Sequence, residues 1–240
     1  MSAPLLHVAP AIVPQGVLAF VPIARGLHDA RAHLRADELS LLATLAPVRR
    51  DAFVAGRIAL RTALHAVNPE LASAPLLRTS RGAPLLPPGV CGSVSHKRGR
   101  AVALAAPEGD AHVGVDLEER PRRVHSDKRD ATGALARRIL TPREFEGLAG
   151  LDALEQRAAT LLYFALKESV YKAIDPYVER YVRFTEVEID IESAGFADER
   201  EGTGAVRLLM PECDHTPIAA EVAWWLEPEW IVAVAVARRS

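Results

Sequence analysis

The first part of the chain alternates apolar runs with polar turns in a way that predicts both strands and helices. The run GVLAFVPI (16–23) predicts a strand. In ADELSLLATLA (36–46) and RRDAFVAGRIALRTALHAV (49–67), apolar residues recur at helical spacing, which predicts two helices. The segment 73–92 is dense in proline and glycine, so it predicts strand fragments and turns.

Three short apolar runs then follow one another, separated by the polar turns HKRG and PEGD. They predict a small antiparallel sheet with Asp116 and Glu118 at the end of its last strand, VGVDLEE (113–119). Alternate side chains of a strand share a face, so the two carboxylates should point the same way and raise each other's pKa. A divalent cation, basic neighbours or water could compensate them.

The second part of the chain is predicted to be helical from 121 to 180 and then to return to strands. Thr141-Pro142, with Glu144 behind it, is typical of a helix start. The predicted strands are FTEVEIDIES, GAVRLLM, IAAEVAWWLE and WIVAVAVA. The same coarse order occurs twice, which predicts an α+β fold of two similar halves (1–120 and 121–240) related by a pseudo-twofold. A cleft between the halves is the expected place for a site.

Composition narrows the class of protein. The chain has 240 residues, of which 49% are apolar, so it can bury a real core. A net charge of -2 and a pI near 6.5 argue against a nucleic-acid-binding platform. Cys91 and Cys213 lack CxxC spacing, which argues against a disulfide framework or zinc site and favours a reducing cytoplasm. Prolines break the apolar N-terminal stretch, so we expect neither a signal peptide nor a membrane span.

The segment FALKESVYKA (164–173) carries candidate chemistry on a predicted helix. Glu168 and Lys172 are four residues apart and share a face, while Lys167 points about 100° away. Alone, such a pair is usually a solvated surface pair. Combined with the strand acids, it would suit Mg²⁺ bound by carboxylates beside a pyrophosphate.

Each of two basic segments has two possible interpretations, one structural and one as a binding site for an anion. The turn GSVSHKRGR (92–100) is either a hydrophilic hairpin loop or a cradle for an anion. Arg57 and Arg61 are four apart on a helix, and they form either a solvated face or a phosphate contact. The chain has no GxxxxGK[ST], GxSxG or HExxH motif, so a hydrolase triad has no support.

Taken in order, GSVSHKRGRAVAL, VGVDLEE and FALKESVYKA resemble the three motifs of the 4'-phosphopantetheinyl transferases. More narrowly, they resemble the larger, monomeric group that activates siderophore and peptide synthetases. The upstream segments RGAPLLPPG and RRDAFVAGRIALR are also similar, so the resemblance covers roughly residues 49 to 175. In this chain Phe164 stands where many members have tryptophan, and Ala83 where some have lysine.

The resemblance implies a reaction and a set of residues. Phosphopantetheine would move from coenzyme A to a serine of an apo acyl or peptidyl carrier protein, with Mg²⁺ as cofactor and adenosine 3',5'-bisphosphate as product. The implied metal ligands are Asp116, Glu118 and Glu168, and the implied catalytic residues are Glu168 and Lys172. The implied coenzyme A contacts are Arg57, Arg61, Gly82, Pro84, Ser95, His96 and Lys167, with Ser95 and His96 at the 3'-phosphate and Gly82 and Pro84 beside the adenine.

Two other functions remain open from the sequence. One is a different Mg²⁺-dependent enzyme acting on a nucleotide pyrophosphate, which would turn over without a carrier protein. The other is a non-catalytic protein that binds coenzyme A or a carrier protein, although all four acidic and basic motif residues are present.

Overall fold

A computed structural model describes residues 10–27, 31–121, 129–191, 200–210 and 217–239. Helices make up 39% of the structure and strands 35%, so the predicted α+β class is confirmed. The chain separates into two compact units that divide inside one strand, between Val115 and Asp116. The predicted boundary at residue 120 and the pseudo-twofold relation stay predictions. Among the described helices, none is long and apolar enough to cross a membrane.

Unit 1 is a four-stranded antiparallel sheet covered by one long helix. Its elements are β1 (Ala11–Val13), β2 (Gly16–Pro22), α1 (Ala36–Thr44), α2 (Pro47–Val67), β3 (Leu77–Arg78), β4 (Pro84–Leu85), β5 (Val90–Lys97) and β6 (Arg100–Pro107). The sheet order is β1-β2-β6-β5, and β3 and β4 form a separate small hairpin. Helix α2 packs across β2, β6 and β5, burying apolar residues such as Val54, Leu60 and Leu64.

The close packing of α2 depends on a glycine. A Cβ added to Gly56 would lie 3.0 Å from Cγ1 of Val94 on β5. Real Cβ atoms rarely approach a neighbour this closely, so a larger residue would push the helix away from the sheet. The absence of a side chain at Gly56 therefore lets α2 pack closely on β5, the strand that carries Ser95 and His96.

Unit 2 repeats the plan of one helix on an antiparallel sheet. Its elements are α3 (Arg129–Ile139), α4 (Pro142–Glu146), α5 (Ala153–Val178), β8 (Val187–Ile191), β9 (Glu201–Leu208), β10 (Ile218–Leu226) and β11 (Trp230–Arg239), together with the end of β7 (Ala111–Glu119). The sheet order is β7-β11-β10-β9-β8. Helix α5 packs on β11 and β10 through apolar residues that include Leu166, Val170 and Ile174.

The predicted antiparallel sheet of residues 91–119 is wrong in one respect. Strands β5 and β6 do form the expected hairpin, with Lys97 opposite Arg100, but β7 joins the sheet of β11 instead. The reason is that β2 and β5 already occupy both edges of β6. Immediately after β7, the N–H of Arg120 donates to the carbonyl of Glu229 at 2.9 Å, which continues the pairing towards β11.

Candidate active site

The two strand acids are buried near the end of β7. Asp116 is 5% exposed and Glu118 is 6% exposed, although carboxylates are rarely buried without a partner. Residues two apart on a strand share a face, so both side chains leave β7 on the same side. Of the three compensations that the sequence left open, water alone is therefore ruled out.

Helix α5 brings a cation to these acids. The side chain of Asp152 accepts from the N–H groups of Leu154 and Glu155 at 2.7 and 2.8 Å, and this capping box sets where the helix begins. More than five turns later, Nζ of Lys172 donates to Oδ1 of Asp116 at 2.7 Å. The Lys172 side chain is only 25% exposed. The helical motif thus faces the strand motif within unit 2.

Glu168 shares this environment. Burial raises the pKa of its carboxyl group, the ammonium of Lys172 opposes that shift, and the carboxylates of Asp116 and Glu118 raise the pKa further. Glu168 therefore lies within electrostatic range of the other three side chains. The structure therefore brings together all four residues of the second and third motifs.

The chemistry of this donor set fits a hard divalent cation. Three carboxylates supply oxygen ligands of the kind that Mg²⁺ prefers. A dication would relieve the repulsion among them, which adds to burial in raising the pKa of Glu168. Within the described parts of the chain, no three His, Cys, Asp or Glu side chains already have the arrangement of a metal cage. Lys172 instead occupies Oδ1 of Asp116, so it provides the positive charge in this structure.

The structure does not support the prediction that Lys167 contacts coenzyme A. Its side chain is fully buried, and Nζ donates to the carbonyl of Ile139 at 2.7 Å, to Oε2 of Glu144 at 2.6 Å and to the carbonyl of Phe184 at 3.0 Å. Burial lowers the pKa of Lys167, and Glu144 opposes that shift. An ammonium has three donor hydrogens, so these contacts use all of them.

Arg57 is also engaged inside the protein. Its Nη2 donates to the carbonyl of Leu77 at 2.9 Å, and its guanidinium carbon lies 4.5 Å from the ring centre of Phe53. Burial lowers the pKa of Arg57 to about 10, while the carboxylate of Glu38 opposes that shift. Arg57 thereby connects α2 to the hairpin of β3 and β4.

Arg61 on α2 connects this helix to α1 and to the segment that follows α2. Its Nη1 donates to the carbonyls of Ala72 and Ala74, and its Nη2 donates to Oε1 of Glu38 at 2.5 Å. The fully buried Glu38 also accepts from the N–H of Leu76 at 2.7 Å. These contacts support a structural role for Arg61, whose side chain is 16% exposed while its partner Glu38 is fully buried.

The other predicted coenzyme A contacts lie in unit 1. Ser95 is buried and His96 is exposed, as expected for neighbours on β5. Gly82, with a φ of +91°, lies in the turn of the β3–β4 hairpin, and Pro84 pairs with Arg78. A positive φ of this size favours glycine, which explains this residue without any ligand. Contact of these residues with coenzyme A stays a prediction.

Sequence reasoning missed Glu38 and Glu144 as buried partners of cations. The pattern Thr141-Pro142 with Glu144 did predict a helix start, and the structure confirms that the helix begins at Pro142 with Glu144 in its first turn. However, Lys167 is 23 residues from Glu144, and Arg61 is equally far from Glu38. No local spacing connects residues at that separation.

Comparisons with known proteins agree with this geometry. The family model described as "4'-phosphopantetheinyl transferase N-terminal domain" matches residues 37–106, and that of the "4'-phosphopantetheinyl transferase superfamily" matches residues 112–235. The second match covers all four clustered residues.

Curated relatives and a solved structure were also compared. The 4'-phosphopantetheinyl transferase Svp of Streptomyces mobaraensis is 36% identical over 84% of this chain and 76% of its own length. The transferase Npt of Nocardia iowensis is 31% identical over 96% of this chain and 97% of its own. A holo-ACP-synthase structure from Plasmodium yoelii has a TM-score of 0.41 and 18% identity, covering 55% of this chain and 99% of its own, which is too distant to support an inference. The superfamily match and these two relatives confirm the predicted enzyme class, and the chain belongs to the 4'-phosphopantetheinyl transferase superfamily.

Proposed function

We propose that this protein transfers the 4'-phosphopantetheine group of coenzyme A to a serine hydroxyl of an apo acyl or peptidyl carrier protein. Membership of the superfamily supports the reaction class. The observation that carries the assignment is the hydrogen bond between Lys172 and Asp116, which joins the second and third motifs into one charged site. We also propose a monomer in the cytoplasm, a compartment that would keep the buried thiol of Cys91 reduced.

The proposed step is a displacement at phosphorus. The serine oxygen forms a bond to the β-phosphorus of coenzyme A, and the bond from that phosphorus to the bridging oxygen breaks. The bridging oxygen leaves with the electron pair, as part of adenosine 3',5'-bisphosphate. The serine proton goes to the carboxylate of Glu168, which burial makes a stronger base than an exposed glutamate.

Each clustered residue has a proposed part. Asp116, Glu118 and Glu168 would hold Mg²⁺, which when bound would neutralise charge on the pyrophosphate. Lys172 would place its ammonium against the charge that develops on the leaving phosphate. His96 and Ser95 would contact the 3'-phosphate, and Gly82 and Pro84 would flank the adenine.

The two alternatives fit less well. A nucleotide-pyrophosphate enzyme of another type has no support from the family match. A non-catalytic binding protein would not need a cluster of three carboxylates, two of them buried, because burying like charges together is costly without a metal or a catalytic role.

Mass spectrometry of carrier proteins would test the proposal. The protein is incubated with coenzyme A, Mg²⁺ and a panel of apo carrier proteins, each paired with a variant in which the acceptor serine is alanine. We expect one or more carriers to gain one phosphopantetheine group, the alanine variants to gain none, and EDTA to stop the gain until Mg²⁺ is restored. Cleavage of coenzyme A with every carrier unmodified would contradict the proposal.

A further inference from the structure

Lys167 is the largest fully buried side chain in the described residues, yet it carries a charge. Its three acceptors come from three different places in unit 2. The carbonyl of Ile139 ends α3, the carboxylate of Glu144 belongs to α4, and the carbonyl of Phe184 follows α5. A buried ammonium that loses such partners is strongly disfavoured, so these contacts restrict where α5 can lie.

Glu144 is itself held on both carboxylate oxygens. Its Oε2 accepts from the N–H of Thr141 at 2.7 Å as well as from Lys167. Its Oε1 accepts from the N–H of Ile189 on β8 at 2.8 Å. The acceptor for Lys167 is thus tied to the start of α4 and to the sheet, and it forms a fixed point against which α5 is aligned.

The alignment matters because Glu168 follows Lys167 directly. Successive residues of a helix point about 100° apart, so a rotation that moved Lys167 off its acceptors would swing Glu168 by the same angle. Apolar packing of Leu166 and Val170 buries area but is not directional, whereas hydrogen bonds are. The buried ion pair therefore supplies a directional constraint that the apolar face of α5 lacks.

We propose that Lys167 and Glu144 are positioning residues that fix the rotation of α5 and so hold Glu168 towards Asp116 and Glu118. Neither residue is assigned a contact with coenzyme A or with the reacting atoms. The inference rests on the proposed function, in which Glu168 serves as metal ligand and base.

The test compares Lys167→Met with the unchanged protein and with Val222→Ala. Methionine has a similar length without the charge, and Val222 is buried in the same core on β10, two strands from the β8 strand that contacts Glu144. At a temperature where melting curves show each variant folded, we measure Mn²⁺ binding by electron paramagnetic resonance, and kcat and KM for coenzyme A.

We expect Lys167→Met to weaken Mn²⁺ binding and lower kcat by about tenfold or more, the usual effect of removing a residue that orients metal ligands, with little change in KM for coenzyme A. Val222→Ala should lower the melting temperature and leave the Mn²⁺ affinity and kcat intact. If Lys167→Met does not fold, Lys167→Met/Glu144→Gln removes both charges and takes its place.

Unchanged Mn²⁺ affinity in the folded variant would overturn the proposal. So would a higher KM for coenzyme A at constant Mn²⁺ affinity, which would make Lys167 a ligand contact. If the unchanged protein transferred no phosphopantetheine, the proposed function would fail, whereas the Mn²⁺ comparison would still decide whether Lys167 positions the acids.

Discussion

The ammonium of Lys172 on α5 lies 2.7 Å from Oδ1 of Asp116 on β7, a residue 56 positions earlier in the chain. This contact makes two separate sequence motifs into one site, and the charges of Lys172, Asp116 and Glu118 all act on Glu168, one helical turn before Lys172. It also shows that, in this structure, a lysine balances the acids for which we propose Mg²⁺.

The strand acids should be needed for transfer and not for folding. We expect Asp116→Asn and Glu118→Gln to slow single-turnover transfer about 100-fold or more, because each removes a proposed ligand oxygen. Without metal, the free energy of unfolding should change by less than about 1 kcal/mol, since loss of like-charge repulsion offsets the lost contacts. Glu119→Gln, on the opposite face of β7, is the matched control. Normal transfer by both acid variants in Mg²⁺ would remove the metal assignment.

Lys172 should act on the rate more than on binding. Lys172→Ala is expected to lower kcat about 100-fold while coenzyme A still binds, since the ammonium meets charge that develops mainly in the transition state. Because Lys172 is 25% exposed but Asp116 is buried, loss of the ammonium should also lower the free energy of unfolding, by about 1 to 3 kcal/mol. Single-turnover transfer and thermal melts check both effects, with Arg157→Ala on the same helix as control. Full-speed transfer by Lys172→Ala would leave the residue without a chemical role.

Glu168→Gln should likewise lower kcat strongly, for two reasons. The amide is a poorer metal ligand than a carboxylate, and it cannot accept the serine proton. The measurement is single-turnover transfer at saturating coenzyme A and carrier protein, together with a thermal melt. A folded Glu168→Gln variant with the rate of the unchanged protein would contradict both roles.

His96 should distinguish coenzyme A from dephospho-coenzyme A. We expect His96→Ala to weaken binding of coenzyme A by about 1.5 to 3 kcal/mol, the usual value of a charge-assisted hydrogen bond to phosphate. Binding of dephospho-coenzyme A, which lacks the 3'-phosphate, should hardly change. Calorimetric titration of the two ligands checks this, and equal losses would place His96 away from the 3'-phosphate.

Replacing Arg61 should lower the stability of the protein and leave coenzyme A binding unchanged. Arg61→Ala leaves the buried carboxylate of Glu38 without its cation, which should lower the free energy of unfolding by about 2 to 4 kcal/mol. The exposed Arg49→Ala on the same helix should cost less than about 0.5 kcal/mol. Urea unfolding measures the stability, and KM for coenzyme A is measured on the folded protein. A large rise in that KM with normal stability would restore the phosphate-binding role.

Local patterns predicted the elements better than the contacts between them. Helical spacing indicated α2 and α5, and the HKRG turn indicated the β5–β6 hairpin, because periodicity and turn residues act over a few neighbours. The pairing of β7 with β11 could not be predicted this way, since it depends on which sheet edges remain open. The same limit applies to Lys167 and Arg61, whose charges suggested ligands while their partners lay in the interior.

The place of β11 in the sheet sets an order of events during synthesis. Strand β7, which carries Asp116 and Glu118, has β11 as its neighbour, and Trp230–Arg239 is made after every other described element of unit 2. The two acids therefore emerge from the ribosome more than a hundred residues before the strand that covers their backbone. A chain stopped after Glu227 should leave β7 without its neighbour in this sheet, and proteases that spare the longer chain should cut it there, which limited proteolysis can show. Unit 2 therefore completes the pairing that supports its site only after β11 has been made.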